Sequence, residues 1–444
     1  MDDSIFKAYD VRGVYPETID EEIAQKIGQA FVMQFNLKKV AFGRDGRLSS
    51  PQIEKALTEG AKKAGADVTH LGIISTDMIY FLSGSDDFDG LAIVTASHNP
   101  KDNNGFKFIL KGAKAVSGDE GLFNMRDLIN SNNLKEAEKI GMENSREIYN
   151  EYAEKLNSLV DISKIKPLKV VLDAGSGVAY FIAQKVFKNL PIKLIPLCGE
   201  IDGNFPYHQP SPIEDKNLVD IKKKVVEEEA DLGLAFDGDG DRVFLIDEKG
   251  ENLSSTITTA MIAKRMLKRH PGSRILYNLL CGWVVKETIQ KNGGVPEVTK
   301  VGHSLIKTKM RKEDGLFAGE HSGHYYFKDL YYADSGMLAS LVIMELISEE
   351  GKPLSEIAHK YNKYFLSGEI NSEVKNQEGK IEEIKNKYKD GQQSELDGIS
   401  VEYTDWRFNV RPSNTEPLLR LNVEAKSKEL LEQKKDELLA LIRA

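Results

Sequence analysis

Phe236-Asp-Gly-Asp-Gly-Asp-Arg242 places carboxylates at Asp237, Asp239 and Asp241, on alternate residues with glycine between them. Acids this close repel one another unless a cation or a base neutralises them. The glycines let such a loop fold tightly around one hard divalent ion, and Mg²⁺ is the natural occupant of an oxygen-only set. A calcium loop has related spacing, with Glu248 at the twelfth position counted from Asp237. Arg242 stands where that loop needs glycine, and the flanks read as strands, so an EF-hand is disfavoured.

Six further stretches carry reactive or anion-binding groups. Val94-Thr-Ala-Ser-His-Asn-Pro100 sets Ser97 in a turn just past a buried strand. No G-x-S-x-G elbow surrounds it, which argues against a serine hydrolase. A phosphate ester on Ser97 would instead supply the oxygen that three carboxylates and Mg²⁺ need. Val410-Arg-Pro-Ser-Asn-Thr-Glu-Pro417, with Arg420 just beyond, gathers guanidinium, hydroxyl, amide and turn N–H groups. That is either a phosphate cradle or an ordinary hairpin turn. Ala318-Gly-Glu-His-Ser-Gly-His-Tyr325 brings Glu320, Ser322 and His324 to alternate positions, suited to pairing with sugar hydroxyls. A zinc site on His321 and His324 lacks the HExxH pattern. Val301-Gly-His-Ser-Leu-Ile-Lys307 adds His303 and Lys307, Lys7–Gly13 adds Tyr9 and Arg12, and Gly105-Phe-Lys107 adds a cation ten residues after Ser97. Asp173-Ala-Gly-Ser-Gly177 has Tyr180 where a dinucleotide fingerprint needs a small residue, and reads as a tight strand-to-helix turn.

These motifs follow short apolar runs: Lys39–Phe42 leads into GRDGR, Leu91–Val94 into TASHNP, Lys169–Leu172 into DAGSG, Leu232–Phe236 into DGDGDR and Arg274–Tyr277 into NLLCGW. Buried strands ending in polar loops, with helical patterns between them, predict α/β units on parallel or mixed sheets, which bind ligands beyond the strand C-termini. The stretch 20–35 carries Ile23, Ile27, Ala30 and Phe31 on one helical face, and a second helix starts at cap Ser50 with Pro51 in its first position. Polar, weakly periodic residues 130–150 mark a boundary, predicting α/β domains over 1–150, 151–253 and 254–366. From 367 to 444 a charged helix, alternating strands around Ile399–Tyr403 and Leu419–Val423, and an amphipathic helix with Leu430, Leu431, Leu438 and Leu439 predict a small α+β domain.

The 444 residues, 41% hydrophobic and 29% charged, fit a multidomain globular chain rather than a disordered one. A net charge of −9 argues against a protein built to coat nucleic acid. The start, Met1-Asp2-Asp3-Ser4, lacks a secretory signal and no apolar run reaches membrane length, so a cytoplasmic protein with no membrane partner is expected. Cys198 and Cys281, far apart and outside any CxxC pair, indicate neither a disulfide framework nor a cysteine-based zinc site, and both read as buried apolar residues.

In order and spacing, KAYDVRG, TASHNP, NGFK, DGDGDR, GHSLIK, GEHSGH and RPSNTEP resemble the α-D-phosphohexomutase superfamily along the whole chain, closest to the bacterial phosphomannomutase/phosphoglucomutase group. The resemblance implies an α/β fold of three similar domains with mixed sheets plus a C-terminal TATA-binding-protein-like α+β domain, around a central cleft. It implies that Ser97 is a phosphoserine exchanging its phosphoryl group with hexose phosphates through a hexose 1,6-bisphosphate. Asp237, Asp239, Asp241 and the Ser97 phosphate would hold Mg²⁺, with Arg242 beside them. Tyr9, Glu320, Ser322 and His324 would meet the sugar, and Arg411, Ser413, Asn414, Thr415 and Arg420 the non-transferring phosphate. Arg12, His98, Lys107 and His303 would be the cations and bases, with the general base left open among them. Mannose 6-phosphate and mannose 1-phosphate are the expected substrates, ahead of glucose and then glucosamine phosphates, and the protein is expected to be a monomer or homodimer. One departure stands out: Leu280 occupies the place of a lysine in the group's pattern. A different class also fits part of the chain. Asp239-Gly-Asp-Arg-Val243 matches the D-x-D-x-[TV] pattern of haloacid-dehalogenase-type sugar phosphatases, in which Asp239 would be the nucleophile.

Overall fold

The computed structural model describes residues 2–413 and 418–444. By its contacts the chain divides into two compact units, Met1–Ser254 with Ser322–Ser355, and Ser255–His321 with Glu356–Ala444.

In the first unit, the strand Lys39–Arg44 lies between parallel partners Asp67–Ile73 and Gly90–Val94. Gly90–Val94 is buried throughout, as an apolar central strand must be. It turns antiparallel into Asn103–Leu110, which pairs with Val11–Val14, making the sheet mixed. Helix Glu21–Phe35 starts at Asp20, whose carboxylate caps the Ile23 N–H, and buries Ile27, Ala30 and Phe31. The next helix is Ser50–Lys63; its cap is Ser49, one residue before the expected position, a shift within the ordinary blur of helix ends.

A second mixed sheet sets Leu168–Asp173 parallel to Ile192–Leu197 and Leu232–Phe236, with Val243–Ile246 antiparallel to the last. Between these two sheets, residues 131–148 carry only the short strand Glu143–Ser145, in keeping with their weak periodicity. A hairpin of Tyr325–Phe327 and Ala333–Asp334 leads into helix Gly336–Glu350, buried on almost every face and correspondingly apolar all round.

In the second unit, Arg274–Asn278 runs parallel to Val295–Thr299 and Phe317–Gly319. An antiparallel sheet follows in the order Phe365–Glu373, Leu418–Ala425, Trp406–Pro412, Ile399–Glu402, Gln392–Ser394. Ile384 of helix Gln377–Lys387 and Leu431, Leu438 and Ile442 of helix Lys428–Arg443 pack on its apolar face. The architecture is the expected one: α/β domains with mixed sheets and an α+β domain at the C-terminal end. No helix among the described residues is long and apolar enough to cross a membrane.

Candidate active site

Ser97 lies just past the C-terminal end of Gly90–Val94, almost wholly buried and with a left-handed φ of 52°. That conformation is unfavourable for a residue with a Cβ and persists only where its surroundings hold it. Arg47 does so. Its Nη2 donates to the carbonyls of Ser97 and Asn99, each at 2.8 Å, and its Nη1 to those of Pro100 (2.7 Å) and Asn103 (2.9 Å). Nε donates to Asp45 (3.1 Å), which also accepts from Ser50 Oγ at 2.6 Å. All five guanidinium donors are thereby used, four on the serine loop and the fifth on Asp45.

The Asp237–Asp241 loop joins the antiparallel strands Leu232–Phe236 and Val243–Ile246. A Cβ on Gly238 would come within 2.5 Å of the Ser97 carbonyl oxygen, and Gly240 has φ 72°, so the glycines permit both the turn and its approach to the serine loop. Ser97 Oγ donates to Asp237 Oδ2 at 2.9 Å and accepts from Arg242 Nη2 at 3.0 Å. Lys107 Nζ sits 2.8 Å from both Asp239 Oδ2 and Asp241 Oδ2. Thr76 Oγ1 donates to Asp239 Oδ2 at 2.6 Å.

Burial, aided by Asp241 and Asp239, pushes Asp237 up to about 7 against the pull of Arg242. Asp239, equally buried, is instead held far below the carboxylate range by Lys107. Burial would lower Lys107, but Asp239 and Asp241 overcome it and hold the amine well above its usual range. The three carboxylates lie close enough to share one ion, and the buried Oδ1 atoms of Asp239 and Asp241 have no hydrogen-bond partner among the described residues. Buried, unmatched carboxylate oxygens of this kind fit a hard divalent cation.

Other sequence candidates join this cluster. His98 Nδ1 faces Arg242 Nη2 and lies 3.2 Å from Ser97 Oγ. The Arg242 charge, then burial, hold His98 well below its ordinary range, so the imidazole is neutral and accepts at Nδ1. Arg12 bonds Asn99 Oδ1 (2.8 Å) and Asp10 (2.5 Å), which ties it to the Ser97 loop, and half-buried Tyr9 precedes that Asp10. His324 pairs with Asp334 at 2.8 Å and lies 3.8 Å from Asp241. Burial opposes a charge on it, but Asp241 and Asp334 raise its pKa. Ser322 is half-buried in the turn before it.

In the second unit, buried Glu320 accepts from Asn278 Nδ2 (3.1 Å) and from the N–H of Gly302 (3.5 Å), the residue before His303. His303 is the first residue of helix His303–Glu313, and Lys307 is buried one turn on. Leu280 is buried, so the cation that the resemblance places there is replaced by an apolar side chain. Arg411 and Arg420 are direct cross-strand neighbours. Like charges so placed repel, and Glu369 bridges them, accepting from Arg411 Nη2 at 2.7 Å and Arg420 Nη1 at 3.1 Å. Arg420 Nη2 also donates to Ser413 Oγ at 3.2 Å. Asn414 and Thr415 lie outside the described residues.

Comparison with known families resolves what the geometry belongs to. The chain matches phosphoglucomutase/phosphomannomutase α/β/α domain I over residues 3–133, domain II over 150–250, domain III over 255–364 and the C-terminal domain over 369–441. This chain belongs to the phosphoglucomutase/phosphomannomutase family. It is an enzyme of the phosphohexomutase class, an isomerase. It is 39% identical to a protein named phosphohexose mutases from Xanthomonas campestris, over 99% of each chain. It is also 39% identical to a phosphomannomutase from Vibrio cholerae, over 99% of this chain and 98% of that one. The crystal structure of a phosphoglucomutase/phosphomannomutase family protein from Burkholderia thailandensis aligns with TM-score 0.90 and 34% identity, covering 99% of this chain and 96% of that one.

In this phosphohexomutase Arg47, Thr76 and Glu369 support the site without belonging to any of the motifs. Arg47 lay in view within GRDGR, a polar loop after a buried strand like the others. Thr76 and Glu369 had no such signal, because each acts on residues far away in sequence.

Proposed function

We propose that the chain interconverts mannose 6-phosphate and mannose 1-phosphate, with Ser97 carrying the phosphoryl group and a hexose 1,6-bisphosphate as intermediate and activator. The observation that carries this reading is Ser97 Oγ, held between Asp237 and Arg242 on a loop clamped by Arg47. In the forward step the P–Oγ bond of phosphorylated Ser97 breaks as a P–O bond forms to the free sugar hydroxyl, whose proton leaves to a base. After the bisphosphate turns over, its other phosphoryl group returns to Oγ and the released sugar oxygen takes a proton. Arg242 donates to Oγ and so stabilises the charge that grows there as the bond breaks. Lys107, fixed as a cation by Asp239 and Asp241, serves to place charge, and His98 serves to orient Arg242 by accepting from it, so neither is the base.

Asp237, Asp239 and Asp241, with the Ser97 phosphate, would hold Mg²⁺, which when bound neutralises charge on the transferring phosphoryl oxygens. Arg411, Ser413 and Arg420, with Asn414 and Thr415, would bind the non-transferring phosphate, the arginines as bidentate donors. Glu320, Ser322 and His324 would take the sugar hydroxyls, and Tyr9, Arg12 and His303 would supply further polar contacts to the substrate. These roles distribute over domains 1–150, 151–253, 254–366 and 367–444. As for phosphatase chemistry, the matches to phosphoglucomutase/phosphomannomutase domains along the chain support the mutase reading over a haloacid-dehalogenase-type phosphatase.

Phosphorus NMR of the protein with Mg²⁺, a trace of hexose 1,6-bisphosphate, and mannose, glucose or glucosamine 1-phosphate in separate tubes tests the reading. Conversion to the 6-phosphate, fastest with mannose, is expected. Faster conversion of glucose or glucosamine phosphate overturns the substrate assignment, and release of free phosphate without isomerisation overturns the mechanism.

A further inference from the structure

Away from Ser97, a second group of metal-ligating side chains converges: Asp173, Cys198 and His208. Asp173 ends strand Leu168–Asp173, in register with Leu197 of the parallel neighbour Ile192–Leu197, so Cys198 emerges beside it. The chain then returns at His208. Cys198 is half-buried, which corrects the expectation of a buried apolar residue; Cys281 does fit it.

His208 Nε2 lies 3.0 Å from Asp173 Oδ2 and 3.9 Å from Cys198 Sγ, and its Nδ1 lies 2.9 Å from the carbonyl of Gln209. A nucleophilic thiol dyad would put the sulfur on one ring nitrogen and the carboxylate on the other. Here sulfur and carboxylate share Nε2, while Nδ1–H is tied to a backbone carbonyl, the outer-shell arrangement of a metal-binding histidine. Tetrahedral bonds at zinc lengths require about 3.3 Å between nitrogen and oxygen and about 3.6 Å between sulfur and nitrogen. These two separations need changes of only a few tenths of an ångström, and the sulfur lies within 4.8 Å of the carboxylate oxygen.

We propose that Asp173, Cys198 and His208 bind one thiophilic divalent cation of the Zn²⁺ class, with a fourth position open to water. The thiolate selects against Mg²⁺. Gln209 couples the site to the serine loop: its backbone carbonyl faces His208, and its side-chain Nε2 donates to the carbonyl of His98 at 2.9 Å, next to Ser97. Occupancy therefore slows the isomerase.

The full-length, metal-stripped protein is titrated with Co²⁺ in the presence of Mg²⁺. A thiolate-to-cobalt absorption band that saturates at one equivalent and is displaced by Zn²⁺ is expected. It is lost in Cys198→Ser and His208→Gln and kept in Cys281→Ser. Absence of the band, or its survival in Cys198→Ser, overturns the site; circular dichroism of each variant separates loss of ligand from loss of fold, and Cys198→Ala replaces a variant that does not fold. Zn²⁺ should inhibit the wild type at least tenfold more tightly than Cys198→Ser, each relative to its own Zn²⁺-free rate. Equal inhibition of both overturns the coupling to Ser97, whatever the optical result.

Discussion

Around Ser97, the carboxylates of Asp237, Asp239 and Asp241 face two cations, Lys107 and Arg242. On the C-terminal sheet the imbalance is reversed, with Arg411 and Arg420 facing one carboxylate, Glu369. Arg12 and Asp10 pair with each other, and Arg242 and burial hold His98 well below its ordinary range, so neither adds a charge to the first balance. With all three acids ionised, the first region is short of a cation, and the burial that raises Asp237 reflects that shortage; the second region is short of an anion. Both imbalances are partly buried, where an uncompensated charge is costly and a bound counter-ion correspondingly favourable. In the proposed reaction the first region would neutralise a phosphoryl group in flight and the second would grip one that stays still.

Breaking the first region at its reacting atom has the largest effect. Ser97→Ala should lower isomerisation by about a thousandfold or more with the fold intact, as read by phosphorus NMR and circular dichroism. Chelating Mg²⁺ should cost about a hundredfold or more, and adding it back should restore the rate. Arg47→Lys keeps the charge but not the planar fork that holds four carbonyls. The loop should then lose its set geometry, lowering kcat by about ten- to a hundredfold and the melting temperature by several degrees.

Arg420→Ala sharpens the comparison, because a residue that only grips should raise KM for mannose 1-phosphate by about tenfold and change kcat less. The smallest effect concerns Asp77, which accepts hydrogen bonds from Ser75, Tyr152 and Ser335 and which burial raises to about 6. A carboxyl with a raised folded pKa binds more protons folded than unfolded, so its contribution to stability falls as pH rises from about 3.8 to about 6 and is level above. The melting temperature of Asp77→Asn relative to wild type should climb by a few degrees across that window and then plateau.

Much of this contrast was legible in the sequence, because metal and phosphate loops need particular residues close together in the chain. Asp237, Asp239 and Asp241 share one hexapeptide, and Ser97 sits in a recognisable strand-end turn. The alternation of buried strands and polar loops likewise led to the mixed α/β sheets, and the change of texture after residue 366 to the antiparallel sheet of the C-terminal domain. Partners supplied by tertiary structure were not legible. Glu369 neutralises Arg411 from 42 positions away, and Thr76 reaches Asp239 across 163. Cys198 read as a plain apolar residue because its neighbours Asp173 and His208 come from a strand end and a returning loop.

The most direct test of the central claim is to load the protein with isotope-labelled phosphate using labelled hexose 1,6-bisphosphate, add excess unlabelled mannose 1-phosphate, and follow the label on the modified peptide by mass spectrometry. The account predicts phosphate on Ser97 that passes to the sugar within a turnover. Phosphate found on Asp239, or isotope label that stays on Ser97 through many turnovers while mannose 1-phosphate is isomerised, would contradict it.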